Sequence, residues 1–299
     1  MDLTGSVALV TGASKGIGKG IALELGACGA TVLVTARSAD AVEGTAAEIR
    51  DLGGESHAFV CDHCDDAAVT RVFDEIARDY GALDILVNNA SPDFSAMVGK
   101  RFWEIPFDAV DACLDVGPRS SYVSSALGAR QMIAASKRGL IVNVSSHGET
   151  DYILSVPYGI GKAGLGKLTH DTALELREHG IAVVSLWPGL VRTERLESRA
   201  VEDPQGRQRA EGVDLDEIGE SPRFSGRAIA ALATDPDVMN RSGGAFRPSR
   251  LAREYGFTDA DGSLPPEIIN LADYLGPENV PAFWRIVQPF PVTRSEASR

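Results

Sequence analysis

The sequence predicts an α/β fold, a doubly wound parallel sheet of about seven strands with a C-terminal extension. Three observations predict it. Short apolar runs alternate with longer helical patterns over the first 186 residues. The runs are continuously apolar, as expected of strands covered by helices on both faces. A glycine-rich turn joins the first run to the first helical stretch.

The elements follow in order. Residues 7–10 (Val-Ala-Leu-Val) form the first strand, ending before Gly12, and 17–28 the first helix. The β-branched run 31–35 is the second strand, and 39–52 a helix stopped by Gly53-Gly54. Residues 57–60 are a third strand and 66–79 a third helix. Strands four, five and six fall at 85–87, 140–144 and 182–186. Helix returns at 222–233, and 243–246 is a last short strand. With no internal repeat and no linker before residue 187, the chain reads as one domain over 1–247. Within it, 190–222 is a long polar connection, expected to be a substrate loop, since such connections are usually lids or disordered. Residues 248–299 lack clear periodicity and read as an extension packed on the same domain. The polar tail at 294–299 is expected to be mobile.

Composition narrows the function. The chain has 299 residues, 44% hydrophobic and 24% charged, an ordinary globular balance. Its net charge of −13 offers no basic face for phosphates, which argues against a nucleic-acid partner. Four cysteines in such a length read as reduced thiols and a cytoplasmic setting. Cys61-Asp62-His63-Cys64 has metal-ligand spacing, but no second half-site completes four ligands, so no metal is expected. The first residues lack the pattern of a signal peptide, and no run of about 18 uncharged apolar residues suggests a membrane span.

Gly12-Ala-Ser14-Lys15-Gly16-Ile17-Gly18 lies between strand one and helix one. Glycines there permit a tight turn and close approach to a pyrophosphate, and the helix N-terminus offers N–H groups to the anion. An ordinary strand-to-helix turn is the alternative, but the context is that of a dinucleotide site. Strand two ends in Ala36-Arg37, without the acid that would bind a ribose 2′-hydroxyl. Arg37 can pair with a 2′-phosphate, and Lys15 adds a second cation, so NADP is favoured and NAD remains possible.

Ser145-Ser146 closes strand five, and Tyr158 and Lys162 follow at the start of a helix. Their spacing puts both on one helical face. A nearby ammonium and an oxidised nicotinamide ring both favour a phenolate, so Tyr158 is expected to have a lowered pKa. It then exchanges a proton with a carbonyl or alcohol oxygen, which a serine hydroxyl holds as charge develops. Tyrosine and lysine at helical spacing alone are an ordinary packing pair; the turn, the serine and the pair together are specific.

On these motifs the sequence resembles the short-chain dehydrogenase/reductase family, from about residue 3 to 247. Thr11-Gly12-x3-Gly16-x-Gly18 matches the family's cofactor turn. Asp62 matches the acid at the adenine, Asn88-Asn89-Ala90 the strand-four motif, and Tyr158-x3-Lys162 the active site. Pro188-Gly189 follows strand six, with Val191 beyond it, and Thr193 falls where the family contacts the nicotinamide carboxamide. The resemblance implies a Rossmann-type sheet, a homodimer or homotetramer, and a second role for Lys162 on the nicotinamide ribose. Segments 155–162, 186–189 and 251–256 resemble one branch of the family, there including part of the extension.

The family's spacing from the tyrosine selects Ser145, whereas counting along strand five selects Ser146. The strand decides for Ser146, since a one-residue slip turns a side chain to the other face and a loop loses a residue at little cost. Several positions depart from the family. Gly117 stands where many members have an asparagine on the proton path, and Pro118 beside it breaks the helix and frees carbonyls. Ser91 replaces a glycine, and the usual Asp-Gly-Gly near the last strand is missing. Altered catalysis or a cofactor-binding protein without turnover are the alternatives these changes raise.

Phe94, Met97, Phe102, Trp103, Tyr152, Ile153, Leu154, Trp187 and Leu190 suggest an apolar pocket for a small carbonyl or alcohol substrate. His147 is a weaker candidate for proton transfer, and Glu149 and Asp151 read as rim residues.

Overall fold

The computed structural model describes residues 1–268 and 270–287; the tail at 294–299 lies outside the described residues. Seven parallel strands form the central sheet: β1 (Val7–Thr11), β2 (Thr31–Ala36), β3 (Glu55–Val60), β4 (Ile85–Asn88), β5 (Gly139–Val144), β6 (Ile181–Leu186) and β7 (Ala245–Phe246). Their order is β7-β6-β5-β4-β1-β2-β3, the doubly wound arrangement expected. The order reverses between β1 and β4, the switch point at which such sheets bind ligands.

Side chains alternate between the two faces. Ala8, Val10, Val32, Val34, Ile85, Val87, Val142 and Val184 pack into one core cluster. Leu9, Leu33, Leu86, Ile141 and Val183 point into the other. The first cluster is covered by α1 (Gly16–Ala27), α2 (Ala39–Asp51) and α7 (Pro222–Thr234). The second is covered by α3 (Asp66–Tyr80), α5 (Ser120–Ala134) and α6 (Val156–Leu176). Double coverage explains why β1, β4 and β6 are buried throughout and mostly apolar. Local signals set several helix starts: Ser38, Asp65 and Ser155 cap α2, α3 and α6 by accepting backbone N–H bonds.

A short helix α4 (Phe107–Leu114) meets α5 through a π-turn, Asp115–Arg119, where Gly117 is non-helical at φ −81°, ψ −107°. Pro118 lies inside that turn and cannot donate the helical hydrogen bond. The Ser120 hydroxyl donates to the Val116 carbonyl at 2.6 Å.

Two regions are more ordered than the sequence suggests. The 190–222 connection holds three antiparallel strands, Ala200–Glu202, Gln208–Ala210 and Val213–Asp214. Leu190–Val191 pairs in parallel with Gly219–Glu220. The mixed charges that looked like a solvated loop instead neutralise one another. Asp203 pairs with Arg207 and Arg209 at 2.9 and 2.8 Å, and Asp214 with Arg207 at 3.2 Å. Within 248–299, residues 248–255 form α8 (Pro248–Tyr255), ended by Gly256 in the left-handed conformation at φ +75°. Leu251 of α8 is buried in the first core cluster. Further on, Leu271, Val280 and Trp284 pack against Leu190, Val213 and Ile218 of the connection. No helix of the described residues is long and apolar enough to cross a membrane.

Candidate active site

The carboxyl ends of β1, β4, β5 and β6 converge on one edge of the sheet. At β1, Gly12 turns the chain at φ +65° and Gly16 at φ +57°, a conformation that favours glycine. The Thr11 hydroxyl accepts from the N–H groups of Asn89 and Ala90 at 2.9 and 3.0 Å. The Asn89 amide donates to the carbonyls of Thr11 and Gly12 at 2.9 and 3.1 Å. A Cβ on Gly18 would lie 2.2 Å from that amide nitrogen, and one on Gly12 would lie 2.8 Å from Cα of Ala90. The turn is therefore a backbone cradle from which side chains are excluded, as close approach of a pyrophosphate requires.

Beneath it, Asn88 bonds Ser125 and Asn143 at 2.9 and 2.8 Å, and Asn143 bonds Thr169 at 2.9 Å. This buried polar chain fixes β4, β5, α5 and α6 relative to one another.

The cradle already holds an anion. The N–H of Gly16 donates to the carboxylate of Glu194, at 2.9 Å to Oε2 and 3.3 Å to Oε1. The first turn of α1 has no acid of its own, and Glu194 arrives from the far end of the chain. Beside it, Thr193 approaches Gly16, and Arg195 pairs with Asp93 at 3.2 Å across the cleft. Nothing local in the sequence signals Glu194, because its partner is 178 residues away.

Lys15 and Arg37 are both exposed, and neither has an ion-pair partner among the described residues. Asp62, after β3, accepts from the N–H of Cys64 at 3.0 Å. The Cys-x-x-Cys segment is built into the fold. Cys61 is buried, which pushes its thiol up to about 11. His63 meets the Thr35 hydroxyl at 2.7 Å, and burial lowers its imidazole to about 4. Pro188 and Gly189 follow β6, and the Gly189 N–H donates to Glu220 at 3.0 Å. Burial holds the Glu220 carboxyl up at about 8, against the Gly189 bond, with Asp259 reinforcing the rise.

The chemistry-bearing side chains meet at β5. Ser146 follows the strand in extended conformation and caps the turn His147–Glu149, accepting from Gly148 N–H at 3.1 Å. Its hydroxyl is 2.9 Å from that of Tyr158. Ser145 is buried with its hydroxyl unbonded. Tyr158 stands in the first turn of α6, where the Ser155 hydroxyl accepts its N–H at 3.3 Å. Phe94 contacts its ring edge-on at 4.9 Å between centroids. Lys162, one turn later, puts Nζ 5.6 Å from the Tyr158 ring centroid and donates to the Val144 carbonyl at 3.2 Å.

Burial dominates the electrostatics that the protein itself imposes on the pair. Burial raises the Tyr158 phenol, and the Ser146 hydrogen bond only partly opposes it. Burial also lowers Lys162 to about 8, while the Glu149 carboxylate holds it up. In both cases desolvation is the largest cause, since it disfavours the charged form of each group. Burial likewise disfavours a charged His147.

The apolar residues expected around the substrate divide. Phe94 lines a small pocket with Ser91, Cys113, Gly117, Tyr158 and Lys162. Met97 is fully buried among Ile105 and Cys113. Phe102 and Trp103 are 61% and 70% exposed and pack on each other, so they face solvent rather than that cavity. Leu190 joins the cluster with the extension. Glu149 is no rim residue: it is half-buried and accepts from the Ser185 hydroxyl at 2.5 Å.

Comparison with known proteins agrees with this arrangement. Residues 6–203 match the family model described as short chain dehydrogenase. The chain is 45% identical over 266 residues to dehydrogenase/reductase SDR family member 1 of Mus musculus, covering 87% of this chain and 85% of that protein. It is 41% identical over 282 residues to the Homo sapiens protein of that name, covering 91% and 89%. Among solved structures, a metagenomic short-chain oxidoreductase in complex with NADP is similar at a TM-score of 0.67 and 31% identity. That match covers 82% of this chain and 98% of the other. The chain belongs to the short chain dehydrogenase family and is an oxidoreductase.

Proposed function

We propose that the enzyme is an NADP(H)-dependent carbonyl reductase/alcohol dehydrogenase. The observation that carries this reading is the pair of hydroxyls of Ser146 and Tyr158, 2.9 Å apart above Lys162, at the edge of the sheet that holds the glycine cradle. One carbonyl oxygen can accept from both hydroxyls at once. Ser146 polarises that oxygen and Tyr158 gives it a proton. When bound, the nicotinamide supplies or removes the hydride. The buried Tyr158 phenol keeps its proton at neutral pH, which suits the reducing direction. Lys162 tunes Tyr158 and binds the ribose.

The residues present fit a dinucleotide. Gly12, Ser14, Lys15, Gly16, Ile17 and Gly18 would cradle the pyrophosphate, Asp62 would hold the adenine, and Asn89 closes the turn. Pro188, Gly189, Val191 and Thr193 border the nicotinamide end. The test of the whole reading is turnover of a carbonyl panel with NADPH by wild type and by Tyr158→Phe.

Arg37 and Lys15 are the proposed 2′-phosphate ligands, supported by their exposure and lack of ion-pair partners. Arg37→Ala is expected to weaken NADPH binding by about tenfold or more, the worth of one charge-assisted contact, and NADH binding hardly at all. Fluorescence titration of both nucleotides measures the difference; equal weakening would sink the 2′-phosphate assignment.

Glu194 gives a prediction of unusual sign. Its carboxylate occupies the α1 N–H group on which the pyrophosphate would bind. Glu194→Gln removes the competing charge, so NADPH binding should tighten by roughly three- to tenfold, the scale of a helix-terminus charge. Weaker binding in the same titration means that Glu194 assists the nucleotide instead of competing with it.

A further inference from the structure

Lys162 is half-buried, beside a flank that supplies it no charged partner among the described residues. On the α4–α5 side it faces Gly117, without a side chain, and Cys113, whose thiol burial keeps neutral. On its own helix it faces Tyr158. Among the described residues, the carboxylate acting on it is Glu149, from the turn that follows Ser146.

Three features hold Glu149 there. The turn His147–Glu149 begins at Ser146, so one short segment presents both the hydroxyl paired with Tyr158 and the carboxylate. Gly166 of α6 opens the helix surface to it: a Cβ there would lie 2.3 Å from Oε2. Gly166 is four residues after Lys162, on the same helical face. The other oxygen is oriented from β6. Trp187 donates its indole N–H to the Ser185 hydroxyl at 3.0 Å. An indole nitrogen only donates, so Ser185 uses its own proton on Glu149. The Arg247 guanidinium lies 5.2 Å over the Trp187 ring and pairs with Glu267 of the extension at 3.0 Å. A relay of oriented groups thus runs from the extension to the carboxylate. Its geometry restrains a half-buried charge, whose loss of water makes a partner valuable.

We propose that Glu149 is a positioning residue of the hydride-transfer site, acting as the counter-charge of Lys162 from a seat made by Ser185, Trp187 and Gly166. The proposal rests on the function proposed above for Tyr158 and Lys162. Glu149 touches neither substrate nor nucleotide; it acts through the lysine. Removing its charge leaves Lys162 facing burial alone, so the ammonium loses its proton at lower pH.

Glu149→Gln is the test, since the amide oxygen still accepts from Ser185 and only the charge is lost. The sequence has six lysines, so ε-13C-lysine labelling gives a resolvable spectrum, and Lys162→Arg assigns the signal. The Lys162 titration should move down by about one pH unit or more in Glu149→Gln, because loss of a negative charge disfavours the ammonium. In steady-state reduction the basic limb of the kcat profile should move the same way, with KM for NADPH unchanged. Glu149→Asp should restore part of the shift. An unmoved Lys162 titration overturns the proposal, whatever the enzyme turns over. Absence of turnover in wild type, or full activity of Tyr158→Phe, strikes the functional reading instead.

Discussion

Tyr158→Phe is expected to lower kcat for carbonyl reduction by about 10²- to 10⁴-fold, the usual contribution of a positioned general acid. The substitution removes one oxygen. The ring keeps its edge contact with Phe94 and its place in the first turn of α6. Ser146 loses its hydroxyl partner but still accepts from Gly148 N–H, so stability should change by only about 1 kcal/mol. KM for NADPH should stay near wild type, because the lost interaction matters in the transition state. Stopped-flow reduction with saturating NADPH measures the chemical step. A variant within tenfold of wild type would mean that another group delivers the proton.

The second large effect is on the cradle. Gly18→Ala drives a methyl group to 2.2 Å from the Asn89 amide nitrogen and 2.5 Å from the Gly12 carbonyl. Both belong to the clasp that ties β1 to the end of β4. Neither can retreat without breaking a hydrogen bond. Overpacking together with the lost bonds should cost about 2–4 kcal/mol in urea unfolding, and NADPH binding should fall below detection. Gly44→Ala is the control. Nothing lies within 4 Å of its Cβ position, on exposed α2. It should stabilise by about 0.5–1 kcal/mol through helix propensity. If Gly18→Ala matches that control, the cradle is not closed to side chains.

Much of the sheet was legible in the sequence for a physical reason. Strands buried on both faces are mostly apolar, so β1, β2, β4, β5 and β6 announce themselves as runs. The choice of Ser146 over Ser145 also came from strand alternation, and the two hydroxyls indeed diverge, one bonded to Tyr158 and the other unbonded. What stayed hidden depends on distant partners. The 200–214 ribbon is held by ion pairs whose members look like ordinary surface charge in sequence. α8 spans eight residues, too few to display a period. Glu149 passed for a rim residue because its seat is made by Gly166 and Ser185, on other elements. At Tyr158 charge attraction is visible in a spacing, while the opposing desolvation is not.

The apolar weld between the 190–222 connection and the extension has a consequence for how such chains diversify. Leu190, Val213 and Ile218 bury themselves against Leu271, Val280 and Trp284, and the Leu154 N–H donates to the Val287 carbonyl at 2.7 Å. Neither segment presents a finished surface alone. A loop grafted from a relative without its matching extension would leave half an interface bare. The two stretches, about fifty residues apart in sequence, must therefore be exchanged, or drift, as a single inherited module.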